Sequence, residues 1–307
     1  MSVIGIDTSN YTTSIACFDG ASGVNCSRLL PVKPGELGLR QSDAVFSHTK
    51  SLPELSGRLF SHIRGAEIEA VGVSTRPRAV EGSYMPCFLV GYSHAKLLSE
   101  ALHVPLVEVS HQQGHVAAAL WSGGRLDLMD SQHLAWHLSG GTTELLLVEP
   151  DGKNVHCTKI GGTMDISAGQ LIDRTGQLLG LPFPSGKHLD ELSAQAKNRD
   201  VFSAKCDACS FSLSGVQNKV QQYYEKNADA AETAAYALRC VAKAVYRASE
   251  QALQRFPSLE IVFSGGVASN SLLRSVMQPL SPVFAQPMYS TDNAMGVAIL
   301  AHRLREG

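Results

Sequence analysis

Short apolar runs alternate with polar or glycine-bearing breaks along most of the chain. Val3-Ile4-Gly5-Ile6 predicts a strand and Ser14–Phe18 predicts another. Between them, Asp7-Thr8-Ser9-Asn10-Tyr11-Thr12-Thr13 reads as a hydroxyl-rich hairpin turn. A helix is expected from about Ser51 to Ile63, a strand at Ala70–Ser74 and a helix across Val90–Leu102. A strand at Val104–Val109 then leads into a helix that opens near His111. The hairpin pattern returns with Leu134–Leu138, a small-residue turn at Ser139–Thr143 and Glu144–Val148. Laid over the first hairpin, Ser9 falls on Ser139 and Thr13 on Thr143. Helices near Ala168–Leu179 and Ala228–Phe256 follow, then the strand Leu259–Ser264, a glycine turn and a helix from about Asn270. A last helix starts near Asn293. The repeated layout predicts an α/β duplication, with halves at 1–130 and 131–307 and the last helix packing back on the first half. A nucleotide's phosphates and a metal ion are expected in the cleft between such halves.

Composition narrows the class. Of 307 residues, 44% are hydrophobic and 18% charged, which is enough for two ordinary cores. No apolar stretch reaches the roughly 20 residues of a spanning helix. The start, Met1–Asp7, reads straight into a strand and lacks the pattern of a signal peptide. Seven scattered cysteines suit reduced thiols, so a cytoplasmic location is expected. Net charge is −2, and Arg76-Pro77-Arg78 is the one short basic cluster. RNA affinity, where present, is therefore expected to come partly from a partner.

Three turns suit the phosphates of a nucleotide. The two hydroxyl- and glycine-rich hairpin tips offer close backbone N–H groups to phosphate. The third, Ser264-Gly265-Gly266-Val267-Ala268-Ser269-Asn270, is a strand, two glycines and a helix start. His111 and His115 stand at i and i+4, so on a helix they share one face and can chelate a metal. Ser110 can cap that helix. Asp292, at a loop-to-helix junction, is the best third ligand, though such a residue also serves as a plain N-cap. Asp165 and Asp173, eight residues apart, are expected near one helix face. Cys206-Asp207-Ala208-Cys209 lacks the second pair of a zinc site and reads as structural.

These motifs, in order, resemble the TsaD/Gcp family, once called glycoprotease or O-sialoglycoprotein endopeptidase. The resemblance rests on Gly5-Ile6-Asp7-Thr8-Ser9, His111 with Gly114-His115, Ser139-Gly140-Gly141 with Thr143, and Asp165, Gly169 and Asp173. It continues through Leu179-Gly180-Leu181-Pro182, Phe211-Ser212-Leu213-Ser214-Gly215, Gly265–Asn270 and Thr291-Asp292-Asn293. It implies an actin-like ATPase (ASKHA) duplication of two RNase H-like domains. It also implies a metal-dependent transfer of threonylcarbamoyl from its adenylate to a tRNA adenine. By resemblance, His111, His115 and Asp292 bind one metal ion, commonly iron, with zinc as the other choice. His137, Leu138, Ser139, Gly140 and Gly141 contact the phosphate-bearing substrate. Asp173, Gly186 and Asn270 hold the adenosine of an adenine nucleotide or threonylcarbamoyl-adenylate. The expected partners are tRNA, reached through a complex, and a TsaB-like relative in a heterodimer, with no membrane.

Several positions depart from the family pattern: Tyr11-Thr12 for Asp-Glu, Thr142 for His, Ile166 for Asp, Gln170 for Glu and Gln217 for Lys. A Gly-Pro-Gly segment is replaced by Thr75-Arg76-Pro77-Arg78, and a Glu before Asp165 is lost. Two alternatives therefore stand beside the transferase. One is a different nucleotide-dependent carbamoyltransferase, and the other a non-catalytic nucleotide-binding partner. A zincin-type protease is the third and least favoured reading, since Gln112 stands where that class keeps its Glu base.

Overall fold

The computed structural model describes residues 1–9, 11–31 and 39–305. Asn10 of the first turn lies outside them. The chain divides into two compact units. The first comprises Met1–Ser131, Glu149–Cys157 and Asp292–Gly307, and the second Gln132–Val148 and Thr158–Thr291.

The first unit opens with β1 (Ser2–Thr8), β2 (Thr12–Phe18) and β3 (Gly23–Leu29). It continues with α1 (Gln41–His62), β4 (Ile68–Arg76), α2 (Phe88–Leu102), β5 (Leu106–Ser110) and α3 (His111–Ser122). Next come β6 (His133–Leu138), β7 (Thr143–Asp151), β8 (Asn154–Thr163), α4 (Ala168–Leu178) and α5 (Gly186–Ser193). The short strands β9 (Cys206–Asp207) and β10 (Ser210–Phe211) precede α6 (Ser214–Asn227), α7 (Ala230–Arg255) and β11 (Ile261–Ser264). The chain closes with α8 (Ser271–Met277), β12 (Val283–Phe284), α9 (Pro287–Ser290) and α10 (Met295–Leu304).

Among the described residues the strands form two sheets, ordered β3-β2-β1-β4-β5 and β12-β11-β6-β7-β8-β10-β9. β1 runs antiparallel to β2 and parallel to β4, and β4 runs parallel to β5. In the second sheet β6 stands likewise to β7 and β11, and β11 to β12. The hairpin repeat read in the sequence is thus one strand order used twice. β1 and β2 are buried along their whole length, which explains their unbroken apolar runs. Ile4, Ile6, Ile15, Val71 and Val73 meet Leu52, Leu55 and Leu59 of α1 in the first core. Trp136, Leu145, Phe211 and Phe263 build the second core with the apolar face of α7. Trp136 keeps its indole N–H paired to Ser249 Oγ at 2.8 Å.

Some elements exceed their sequence signal. α1 starts at Gln41, ten residues before the expected Ser51, and runs through Pro53. Its first turns bury only Ala44 and His48, too sparse an apolar stripe to read. α6 buries only Val216 and Val220 and carries no marked apolar face. Asp165 and Asp173 do not share a helix. α4 starts at Ala168, so Asp165 lies in the preceding loop. Its carboxylate instead accepts Leu213 N–H at 2.8 Å and the Ser214 hydroxyl at 2.6 Å, tying down the start of α6.

Candidate functional site

Within the first unit, β5 delivers the chain into α3. Ser110 caps this helix, with its hydroxyl accepting Gln113 N–H and Gln113 Oε1 accepting Ser110 N–H. Gln113 Nε2 also donates to Val155 O at 2.8 Å. The cap fixes the first turn, so His111 and His115 present their rings on one face, 4.3 Å apart between centroids. α10 crosses α3 at two glycines. A Cβ on Gly296 would lie 1.8 Å from Gly114 O, so no other residue permits this approach. The approach brings Asp292, just ahead of α10, to the histidines. Asp292 is not the cap of α10: Asn293 Oδ1 accepts Met295 N–H at 3.1 Å, and the aspartate stays free to turn inward.

His115 Nε2 lies 2.9 Å from His111 Nε2 and 3.2 Å from Asp292 Oδ1. The third edge, His111 Nε2 to Asp292 Oδ1, is 3.5 Å. Neighbouring ligands of one ion with bonds of about 2.0–2.2 Å sit about 2.9–3.5 Å apart. Two imidazoles and a carboxylate at those separations fit one divalent ion of the first transition row. Among the described residues this is the one group of three or more His, Cys, Asp or Glu side chains close enough to share an ion.

The electrostatics agree. Burial opposes the charge on His111, but Asp7 and Asp292 outweigh it and push its pKa up to about 10. Burial also opposes charge on Asp292, and the two histidines outweigh it and hold the carboxyl well below its usual range. Burial and the neighbouring His111 charge push His115 down. Without a metal, the positive charge of a protonated His111 ring stands between two carboxylates, Asp7 at Nδ1 and Asp292 on the Nε2 side. A cation at the three donor atoms would do the same balancing.

Within the second unit, Ser139-Gly140-Gly141-Thr142 closes on itself. Ser139 N–H donates to Thr142 O at 2.8 Å, and Thr142 N–H to Ser139 Oγ at 3.1 Å. Ser167 Oγ donates to Gly140 O at 2.6 Å. Gly169 in the first turn of α4 lies against this turn, since a Cβ there would come 2.4 Å from Gly140 Cα. His137 is half-buried at the end of β6, and Leu138 is a fully buried core residue that has only its backbone to offer a ligand. Asp173 Oδ1 accepts Ser185 N–H at 2.8 Å, just before Gly186 opens α5. Burial pushes the Asp173 carboxyl up. Asn270 caps α8 through its Oδ1 and donates from Nδ2 to Asp190 Oδ1 at 2.8 Å.

Two side chains escaped the sequence reading. Asp190 ties α5 to α8, since it also accepts Ser271 N–H and the Ser271 hydroxyl. Its signal was thin: one acidic residue four positions after Gly186. Asp7 accepts from His111 Nδ1 at 2.8 Å. It had been read as part of a turn and of the Gly5–Ser9 motif, and only tertiary contact reveals the pairing. The two cysteines of the short Cys-x-x-Cys segment sit in the β9–β10 hairpin, where Gln251 Oε1 accepts Cys209 N–H at 2.9 Å.

The sequence profile of tRNA N6-adenosine threonylcarbamoyltransferase (TsaD) matches residues 38–299. This chain belongs to the TsaD family. The chain is 31% identical to tRNA N6-adenosine threonylcarbamoyltransferase of Carboxydothermus hydrogenoformans, over 99% of this chain and 93% of that protein. It is 30% identical to the protein of the same name from Thermosipho africanus, over 99% of this chain and 94% of that one. Among solved structures, full-length HypF superposes with a TM-score of 0.63 at 15% identity, over 100% of this chain and 47% of HypF. Component A of (R)-2-hydroxyglutaryl-CoA dehydratase from Acidaminococcus fermentans gives 0.58 at 14%, over 100% of both chains. These likenesses establish the actin-like ATPase fold.

Some of the positions read as departures from the family pattern have local roles in the structure. Gln170 accepts Ser167 N–H at 3.1 Å and closes a capping box, a task it performs without a charge. Gln217 Oε1 accepts from Arg174 Nη1 at 2.7 Å, so a cation still stands beside it. Ile166 packs against the second core. Pro77 of the altered Thr75–Arg78 segment accepts Gln112 N–H at 3.0 Å and braces the first turn of α3. Nothing in the structure explains the exchange at Tyr11-Thr12.

Proposed function

We propose that this chain transfers a threonylcarbamoyl group from its adenylate to the N6 amine of a tRNA adenosine. The observation that carries the reading is TsaD membership along 99% of the chain together with a His-His-Asp donor triangle of 2.9, 3.2 and 3.5 Å. In the reaction the amine nitrogen bonds to the carbamoyl carbon, the carbon–oxygen bond to phosphate breaks, AMP leaves and the amine gives up one proton. His111, His115 and Asp292 hold one metal ion, and two imidazoles with one carboxylate favour iron(II), with zinc second. Bound there, the ion supplies a positive charge to an anionic or carbonyl oxygen of the substrate. Backbone groups from His137 to Gly141 hold the phosphate of the adenylate. Asp173, Gly186 and Asn270 hold its adenosine, with Asp190 keeping Asn270 in place. The mixed anhydride is already activated, so positioning does much of the remaining work. In this reading the halves 1–130 and 131–307 contribute metal and nucleotide contacts respectively, apart from Asp292.

The chain works with partners. With a net charge of −2, it has little intrinsic pull on a polyanion, so tRNA is delivered within a complex. A TsaB-like relative is the heterodimer partner we favour. Leu89 and Leu97 stand exposed two turns apart on α2, and Phe46 and Phe60 are exposed on α1, all apolar surface that a partner would cover. None of the described helices is long and apolar enough to cross a membrane. The reaction belongs in the cytoplasm, where tRNA is modified.

The test is a reconstitution. Purified protein, partner proteins, threonylcarbamoyl-adenylate and unmodified tRNA should yield threonylcarbamoyladenosine in digested tRNA by mass spectrometry. Adenylate consumption without tRNA product would point to another acceptor. No consumption, with nucleotide still bound, would point to a non-catalytic partner.

A further inference from the structure

We propose that Asp7 is a positioning residue: it sets which nitrogen of His111 faces the metal and ties the metal centre to the β1–β2 turn. The inference rests on the metal-binding reading above and extends it to a side chain that binds no metal itself.

Asp7 sits near the end of β1, in the middle of the first sheet, and is 1% exposed. Asp7 pairs with Ser14 of β2, and the preceding Ile6 pairs with both β2 and β4, which fixes the strand at this point. Oδ2 lies 2.8 Å from His111 Nδ1, across 104 residues of chain. Oδ1 accepts Ser9 N–H at 3.0 Å. An ionised carboxylate only accepts hydrogen bonds, and burial leaves this one no water to turn to. His111 Nδ1 must therefore carry its hydrogen. With Nδ1 keeping its hydrogen, it is Nε2, the atom that faces His115 Nε2 and Asp292 Oδ1, that would offer its lone pair to a metal. A carboxylate behind a ligating imidazole fixes its tautomer and ring plane and strengthens it as a donor. The second oxygen anchors the turn that follows β1, so one side chain sets both the ring and the turn.

Asp7→Asn nearly keeps the shape and removes the second acceptor. If the amide oxygen keeps Ser9 N–H, the amide NH2 faces His111 Nδ1. The imidazole must then carry its hydrogen on Nε2, where it blocks the metal. If the amide turns over, the NH2 opposes Ser9 N–H and the turn loses its anchor. Asp7→Glu restores the carboxylate and should recover most of what Asn loses.

The experiment uses the full-length chain, stripped with chelator and titrated with Zn(II) by competition. Asp7→Asn should bind Zn(II) about 10–100-fold more weakly than wild type, while the metal-free proteins melt at similar temperatures. Nitrogen-15 imidazole spectra of the zinc-loaded wild type should show Nδ1 of His111 protonated and Nε2 metal-bound. Asp7→Asn binding as tightly as wild type would overturn the inference, and so would Asp7→Glu binding as weakly as Asn with its fold intact. A wild-type chain that takes up no Zn(II) or Fe(II) would overturn the metal reading itself, and this inference with it.

Discussion

In the first unit the candidate metal donors are side chains locked by buried charge and by a glycine-to-glycine helix crossing. In the second unit the Ser139–Thr142 turn is held by its own backbone and by the start of α4, while Gly140 and Gly141 stand exposed. Beyond where a side chain would start on either glycine, nothing lies within 4 Å. The difference follows from what each is proposed to bind. A metal needs few donors at fixed separations, so the protein spends rigidity on their orientation. An anion needs backbone N–H groups it can approach, so the turn keeps its surface clear of side chains. The first arrangement fails when a ring or a helix moves, and the second when something fills the space.

The sharpest break of that contrast is His111→Ala with His115→Ala. Metal content, measured by plasma mass spectrometry, should fall from about one ion per chain to none. Transfer should fall about a thousandfold, in line with several kcal/mol of lost charge stabilisation. Nucleotide affinity should change little, and a parallel loss would mean that the two sets of residues are not separable. Next, Gly296→Ala drives a methyl group into Gly114 O. It should cost about 3 kcal/mol of stability by thermal melting and loosen metal binding. An unchanged melt would mean that the α3–α10 crossing relaxes freely. Gly169→Ala pushes on Gly140 instead. It should raise the KM for the adenylate about 10–100-fold through a misplaced turn and leave metal content alone.

The smallest effect is electrostatic. In the metal-free protein His111 titrates near 10 against an ordinary 6.5, because Asp7 and Asp292 outweigh the opposing effect of burial. A raised folded-state pKa stabilises the fold fully below the unfolded value. That contribution is lost as pH rises from 6.5 through 10. The melting temperature of the chelated protein should therefore fall more steeply over that window than that of His111→Gln. Metal loading should flatten the difference, since the bound ion replaces the proton.

Much of this was legible along the chain, and the reasons for the rest are physical. The i, i+4 histidine pair and the two hairpin tips are local patterns, and both appear where the spacing put them. Asp292 was legible as a carboxylate at a helix junction, but the choice between ligand and cap was not. In the structure the N-cap residue of α10 is Ala294, and Asp292 faces the histidines instead. Asp7 and Gly296 act across 104 and 182 residues of chain respectively, beyond any periodicity or turn rule. Asp165 was misread because helical spacing was assumed through a loop, whereas Ser167 starts the helix later. α6 went unread because it buries two valines and little else.

The central claim is that this chain performs the transfer and does so with the metal donors proposed in the first unit. The most direct measurement is threonylcarbamoyladenosine in bulk tRNA from a strain depleted of its standard transferase and supplied with this chain. Wild type should restore the modified nucleoside and His111→Ala with His115→Ala should not. Wild type failing with all partner proteins present, or the double variant restoring the nucleoside as well as wild type, would contradict the account.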